Sequence, residues 1–468
     1  MDALLTLLAI LLPVLLGSAW INLLVPAGTP ARGALVWGNG ALFGVMVTPL
    51  LMRALHAIGL PLDFTMTALA AVALTGMAAL IHLRGQGRGG ASRPAAPAQA
   101  LPTAQRVLWT ILLGLILLRL ITLGTEVALR PLFPWDATMH WATKARVWFE
   151  HRSLVPFVPH DIWLQVGGEG VYTDRHPNYP SMIPLLQVWM NLATGNWNES
   201  LMNLPWVVCL AGLGAAFYGH LRVAQVEALT AAATTYFLMS MPLINIHVAL
   251  AGYADIYLAA AFCCALMALH NWMTLRAGWM AALALLFAAL CPQIKNEGLF
   301  WALSLAPAAL VAFMQRREAA KILLLSGFSA VVFLLLLPRD LVIAGHTLRE
   351  LAPAFQPEAL AGLTKIVWLH ANWHLFGYLL LILVPLGLLM PGAMTRKYLG
   401  LTAALATAIG AFLFLFLFTG FGWGAANLTA VGRLGIQLAP GLMFLAALLF
   451  DELQTRGGVR AQPPDASR

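Results

Sequence analysis

Residues 107–127 read VLWTILLGLILLRLITLGTEV, and shortly after them Pro134-Trp135-Asp136-Ala137-Thr138-Met139-His140-Trp141-Ala142-Thr143-Lys144 opens an amphipathic segment. The first stretch has the roughly 20-residue apolar length that a helix needs to cross a bilayer. In the second, a carboxylate, an imidazole and an ammonium recur every four residues. On a short helix they share one face, with Trp141, Ala145 and Trp148 on another. Such a helix is expected at the membrane surface, aromatic side down, with Asp136, His140 and Lys144 turned to the interface.

The whole chain follows the first pattern. Of its 468 residues, 60% are hydrophobic and only 10% charged, and mean hydropathy is +0.81. Soluble domains carry roughly 25% charged residues, so this composition indicates a polytopic membrane protein of the all-α class. The net charge of +8 comes without the dense Lys/Arg cluster that a phosphate backbone requires, which argues against nucleic acid. Cys209, Cys263, Cys264 and Cys291 all fall inside apolar runs, without the spacing of a metal site or a disulfide framework, and read as core packing. Met1-Asp2-Ala3 runs into apolar sequence with no basic segment before it, so the first span is expected to be retained.

Apolar runs place spans at 3–25, 33–53, 64–83, 107–127, 200–221, 229–249, 255–274, 278–294, 299–314, 321–338, 366–390, 398–418 and 432–450, about thirteen in all. The run at 181–195 is shorter and is expected to be re-entrant or interfacial. With that run left out, Arg84, Arg88, Arg93, Arg106, Arg222, Arg276, Arg316-Arg317, Lys321, Arg396-Lys397 and Arg456 share one side, the cytoplasmic one by the positive-inside rule. The loop 128–199, the turn at Gly252-Tyr253-Ala254-Asp255, Lys295-Asn296-Glu297-Gly298, 339–365 and 419–431 fall on the other. This divides the chain into a three-helix unit at 1–83, a flexible Gly/Pro/Arg-rich linker at 84–106, a membrane module at 107–450 with the outward loop 128–199, and a disordered tail at 451–468.

The outward connectors hold the residues that can carry chemistry. Asp136 is a candidate general base, or else a helix N-cap. His140 orients that carboxylate or is structural; Lys144 meets an anionic headgroup or is a solvated face residue. The loop Tyr172-Thr173-Asp174-Arg175-His176-Pro177-Asn178-Tyr179-Pro180 is a rigid turn whose charged trio lines the pocket. Asp255 offers a second carboxylate, for a metal or a hydroxyl, or N-caps its helix. Lys295 and Glu297 gain little as a lone exposed pair, and a phosphate explains the lysine better. Arg433 enters the last span from the same side and suits phosphate oxygens; Arg339 and Arg349 are weaker alternatives. Arg119 is expected to pair with Glu126 within its span or to snorkel.

In order, a span, an outward loop with an acid (Asp136), a His-Pro element (His176-Pro177, with Tyr179-Pro180 behind it) and a later acid after another span (Asp255), the chain resembles the GT-C superfamily of polytopic glycosyltransferases. Protein O-mannosyltransferases and lipid A aminoarabinose transferases are among its members. The order agrees across roughly 107–275, and Lys295-Asn296-Glu297-Gly298 with Arg433 to Pro440 extends the likeness to about 450, toward a bacterial branch. The resemblance implies transfer of a sugar, with inversion, from a polyprenyl-phosphate donor to an envelope glycan, lipid or protein acceptor. The site would face the periplasm from a bacterial inner membrane. Asp136 would be the base, Asp255 a second catalytic acid, Lys295 and Arg433 would hold the donor phosphate, and His140, Lys144, His176, Tyr179 and Glu297 would line the pocket. Asp136 is followed by Ala137 where many members carry two adjacent acids, and His176-Pro177-Asn178 departs from His-Pro-Pro. No cofactor is therefore assigned, and a divalent metal stays open. A transporter or lipid flippase, a glycan ligase or polymerase using a diphosphate carrier, and a scaffold are the competing readings.

Overall fold

The computed structural model describes residues 2–86, 102–314, 354–369, 375–389 and 396–456, with scattered positions between 318 and 347 and at 373. Helices α1 (Asp2–Leu24), α2 (Arg32–Ala57), α3 (Phe64–Gln86) and α4 (Thr103–Leu129) come first. A π-helical turn at Ala137–Ala142 leads into α5 (Thr143–His151), α6 (His160–Gln165) and α7 (Met182–Thr194). The main bundle follows with α8 (Pro205–Val223), α9 (Ala228–Ser240), α10 (Pro242–Ala249), α11 (Asp255–Leu275), α12 (Gly278–Ile294), α13 (Gly298–Leu303) and α14 (Ala306–Phe313). It closes with α15 (Pro357–Thr364), α16 (Phe376–Leu389), α17 (Arg396–Phe418), α18 (Gly422–Ala426) and α19 (Val431–Arg456). Two very short strand pairs complete the described chain: Phe157–Val158 parallel to Tyr172–Thr173, and Val342–Ile343 antiparallel to His346–Thr347.

Among the described residues, eight helices are long and apolar enough to cross a membrane, nine if α9 and α10 count as one bent span, with shorter apolar helices at Gly278–Ile294, Gly298–Phe313 and Phe376–Gly387. The protein is thus an all-α, membrane-embedded chain, and about thirteen full spans are not established. The expected span at 229–249 is broken by 54°, because Pro242 lacks an N–H and keeps Met241 out of the helical region. Most of the expected span at 321–338 lies outside the described residues, as do Arg88, Arg93, Arg316, Arg317, Arg339 and Arg349. The linker is shorter than expected, since α3 runs to Gln86 and α4 begins at Thr103. The tail too begins later, because α19 continues to Arg456; 457–468 lie outside the described residues.

At the centre stands α11, buried over 89% of its most apolar stretch, whereas that of α4 is only 6% buried and presents its side chains outward. An apolar helix open on nearly every face is stable only against lipid. The three N-terminal helices pack onto the rest of the bundle. On α2, Gly40 and Gly44 stand four residues apart, and a Cβ on either would meet α1 backbone or Ser18 at under 3 Å, the close approach that a small-xxx-small face permits in membranes. Pro13 inside α1 cannot supply an N–H to the carbonyl of Ala9 four residues earlier. The Trp189 indole N–H donates to that oxygen instead, at 2.8 Å.

Helix α7, 13 residues long, is too short for a full span, as expected, and does not lie on the surface of the bundle. Every residue from Met182 to Ala193 is buried: most of its side chains are apolar, and its two polar ones on one face are bonded, Gln187 to Asn203 at 3.0 Å and Asn191 to the Asn198 N–H at 2.8 Å. The Arg119–Glu126 pair does not form. Glu126 binds Arg130 at 2.6 Å, one turn away rather than two and within easier side-chain reach.

Candidate functional site

Four distant stretches meet at one end of the bundle: the start of the π-helical turn, the α10–α11 turn, the α12–α13 break and the start of α19. Gly252 makes the first approach possible. Its φ of +106° suits glycine, and a Cβ there would lie 2.7 Å from the Ala137 Cβ and 2.8 Å from Leu132. The turn is held from behind by the Trp206 indole, which donates to the Tyr253 carbonyl at 2.8 Å. Asp136 is thereby set beside the first turn of α11.

Arg433 joins the two acids. Its Nη1 donates to Asp136 Oδ2 and its Nε to Asp255 Oδ2 at 3.4 Å, while the guanidinium lies 4.4 Å above the Tyr253 ring. These contacts use two of its five N–H donors. Asp255 Oδ1 accepts from Lys295 Nζ at 3.1 Å and from Gln437 Nε2 at 2.7 Å. Gln437, one turn after Arg433 on α19, has its amide oriented by the Trp301 indole N–H, 2.5 Å from Oε1. Lys295 also pairs with Glu297 at 3.1 Å. Three carboxylates against two cations leave the cluster one formal negative charge.

Exposure separates the acids. The Asp255 side chain is 0% exposed and its oxygens are occupied, whereas Asp136 is 28% exposed. Neither side chain caps its helix, so the N-cap reading of both residues is set aside. Lys295, expected to be exposed, has a side chain only 4% accessible; with Asp255 beside it, a buried ammonium has the partner it needs.

A second cluster supports the first. The face carrying His140 and Lys144 does not look toward the interface as expected: both are buried, turned into the loop 172–180. His140 Nδ1 lies 2.6 Å from Asp174 Oδ1, and Lys144 Nζ 2.8 Å from Oδ2. Lys144 also donates to the carbonyls of His176 and Pro177, at 2.6 and 3.3 Å, and the His176 N–H donates to Asp174 at 3.1 Å. Burial alone pushes the Asp174 carboxyl up, but the bonds from His140 and Lys144 prevail and hold it at about 2. Burial lowers the Lys144 ammonium, against the opposing pull of Asp174. Arg175 stays exposed.

The aromatic side chains bridge the clusters. Tyr179 stacks on His176 with ring centroids 4.8 Å apart and on Trp141 at 5.0 Å. Burial above all pushes its phenol up to about 12, so it is a neutral hydrogen-bonding group near neutral pH. Trp135 is largely exposed, its ring edge-on to His140 at 5.7 Å.

Among the sequence-derived candidates, Asp136, Asp255, Lys295, Glu297 and Arg433 come together directly, while His140, Lys144, His176 and Tyr179 form the supporting wall. Gln437 was missed, although a polar residue four positions after Arg433 in an apolar span was a legible signal. Asp174 was noted only as one of a charged trio. Among the described residues no three His, Cys, Asp or Glu side chains gather as a metal site. Comparison with known proteins finds no matching family model, no matching curated protein and no matching solved structure.

Proposed function

We propose that the protein is a membrane glycosyltransferase that moves a sugar from a polyprenyl-phosphate donor to an envelope acceptor at the periplasmic face of a bacterial inner membrane. The observation that carries this reading is Arg433, held between a partly exposed acid and a fully buried one. It places a base and a phosphate-binding cation within one side chain's reach. An acceptor hydroxyl or amine attacks the anomeric carbon, its proton passes to Asp136, and the bond from that carbon to the phosphate oxygen breaks. The leaving phosphate keeps the electron pair and is met by Arg433. Asp255 is buried and fully engaged, so it positions Arg433 and Lys295 and does not itself touch the acceptor. Lys295 supplies fixed positive charge behind Arg433.

The test is donor consumption by purified protein given a short-chain polyprenyl-monophosphate sugar. Asp136→Asn should lower kcat by about 10²–10⁴-fold without raising the donor KM, because the phosphate no longer competes with a carboxylate for Arg433. Arg433→Ala should raise the donor KM. Wild-type consumption by correctly inserted Asp136→Asn protein would remove the base assignment.

The break between α9 and α10 favours a second reading, since interrupted helices are the mark of a transporter or flippase. The same assay separates them: turnover in detergent, with no gradient across any membrane, belongs to an enzyme. Replacing the monophosphate donor by its diphosphate counterpart tests the ligase or polymerase alternative.

A further inference from the structure

A cavity of about 410 Å³ has Arg53, Trp148, Phe157, Tyr179 and Gln293 in its wall. It falls within the range of ligand pockets, roughly 300–1,000 Å³. Its wall brings together three parts of the chain: the end of α2, the outward loop and the end of α12. The N-terminal three-helix unit contributes Arg53, whose Nη1 donates to Gln293 Oε1 at 3.1 Å. Among the described residues no carboxylate lies within ion-pair distance of Arg53. The other cation at the wall, Lys144, is committed to Asp174. The cavity therefore offers aromatic and proline surfaces, hydrogen-bonding groups and one uncompensated guanidinium.

We propose that this cavity binds the phosphate-bearing, hydroxylated headgroup of a membrane lipid, with Arg53 on the phosphate, and that this lipid is the acceptor in the reaction proposed above. A lipid suits the position, because Arg53 and Gln293 close the ends of apolar helices and a headgroup between them keeps its chains beside the bilayer. Tyr179 is shared by this cavity and the Asp136 wall, so a headgroup hydroxyl lodged there lies on the path to the base. The acceptor role rests on the glycosyltransferase reading; the binding does not.

The test is calorimetric titration of the full-length protein in detergent with dioctanoyl phosphatidylglycerol, and separately with inorganic phosphate. The wild type should bind the lipid. Arg53→Gln, at an exposed position where folding is undisturbed, should weaken it about tenfold or more, Arg53→Lys less so, and Ser181→Trp should block it by filling the wall. Equal lipid affinity in wild type and Arg53→Gln, or no binding by wild type, overturns the site. Inorganic phosphate binding as tightly as the lipid, with the same dependence on Arg53, overturns the lipid assignment. The titration needs neither sugar donor nor turnover. Arg53-dependent binding without transfer removes only the acceptor role, and transfer without Arg53-dependent binding removes only the cavity.

Discussion

Asp174 is the residue on which the loop 128–199 depends. Its carboxylate holds His140, Lys144 and the His176 N–H at once, and its side chain is only 2% exposed. Asp174→Asn removes the charge facing a buried ammonium, a change expected to cost about 3–5 kcal/mol, read as a lowered Tm of the purified protein. The pH dependence follows from the direction of the shift. The carboxyl sits at about 2 in the folded protein, below its ordinary 3.8, so the unfolded chain takes up the proton first. This contribution is complete above about pH 4 and is lost as the pH falls toward 2. The wild type should lose Tm over that window faster than Asp174→Asn; parallel curves would show that the pair contributes nothing. Sequence could not announce this role. The loop reads as a rigid turn with a charged trio, with nothing to single out Asp174 within it, and its partners are 30 and 34 positions upstream. What was readable was the four-residue spacing of Asp136, His140 and Lys144; that His140 and Lys144 are covered by the loop 172–180 while Asp136 turns to Arg433 is a tertiary fact.

Among the helices, proline and tryptophan explain how α1 and α7 recognise each other. Pro13 leaves the Ala9 carbonyl without its intrahelical donor, and Trp189 supplies one from a helix 180 residues away. Trp189→Phe keeps the apolar bulk and removes the donor, so a buried carbonyl is left unpaired at a cost of about 1–3 kcal/mol. The diagnostic variant is the pair: Pro13→Ala restores a backbone N–H to Ala9 and should recover part of the Tm lost in Trp189→Phe. If the two substitutions are additive in thermal unfolding, the carbonyl was not the link. The apolar runs of α1 and α2 were plain in the sequence, and so was the short length of 181–195. The fate of α7 was harder to read, because length alone does not distinguish a helix lying in the interface from one enclosed by others. Its polar pair, Gln187 and Asn191, reads as a solvated edge in sequence, and the partners that let it be buried, Asn203 and the Asn198 N–H, come from the following turn. Pro242 likewise announced the break at Met241 that hydropathy averaging passed over.

Across the molecule, the ends of the helices sort by charge and by chemistry. Asp136, Asp255, Lys295 and Arg433 meet at one end. Arg276 binds the Ala312 carbonyl, and Tyr398 bonds to Glu452 near the C-terminal end of α19, both at the other. Counting basic connectors leads to the expectation that the first group faces outward and the second the cytoplasm, since the rule depends on charge near span ends and not on which helices touch. The four native cysteines are all buried, so an impermeant maleimide applied to intact cells reads an introduced thiol against a quiet background. Glu169→Cys in the outward loop and Asn427→Cys before α19 replace exposed residues at the site end, and both should be labelled from outside. Gly278→Cys, exposed at the start of α12 with open space around it, should be labelled only after the membrane is permeabilised. Labelling of Glu169→Cys and Asn427→Cys from opposite sides would separate Arg433 from Asp136 and undo the site. Labelling of both only after permeabilisation would keep the site and turn it to the cytoplasm, where the donor and acceptor would have to be sought instead.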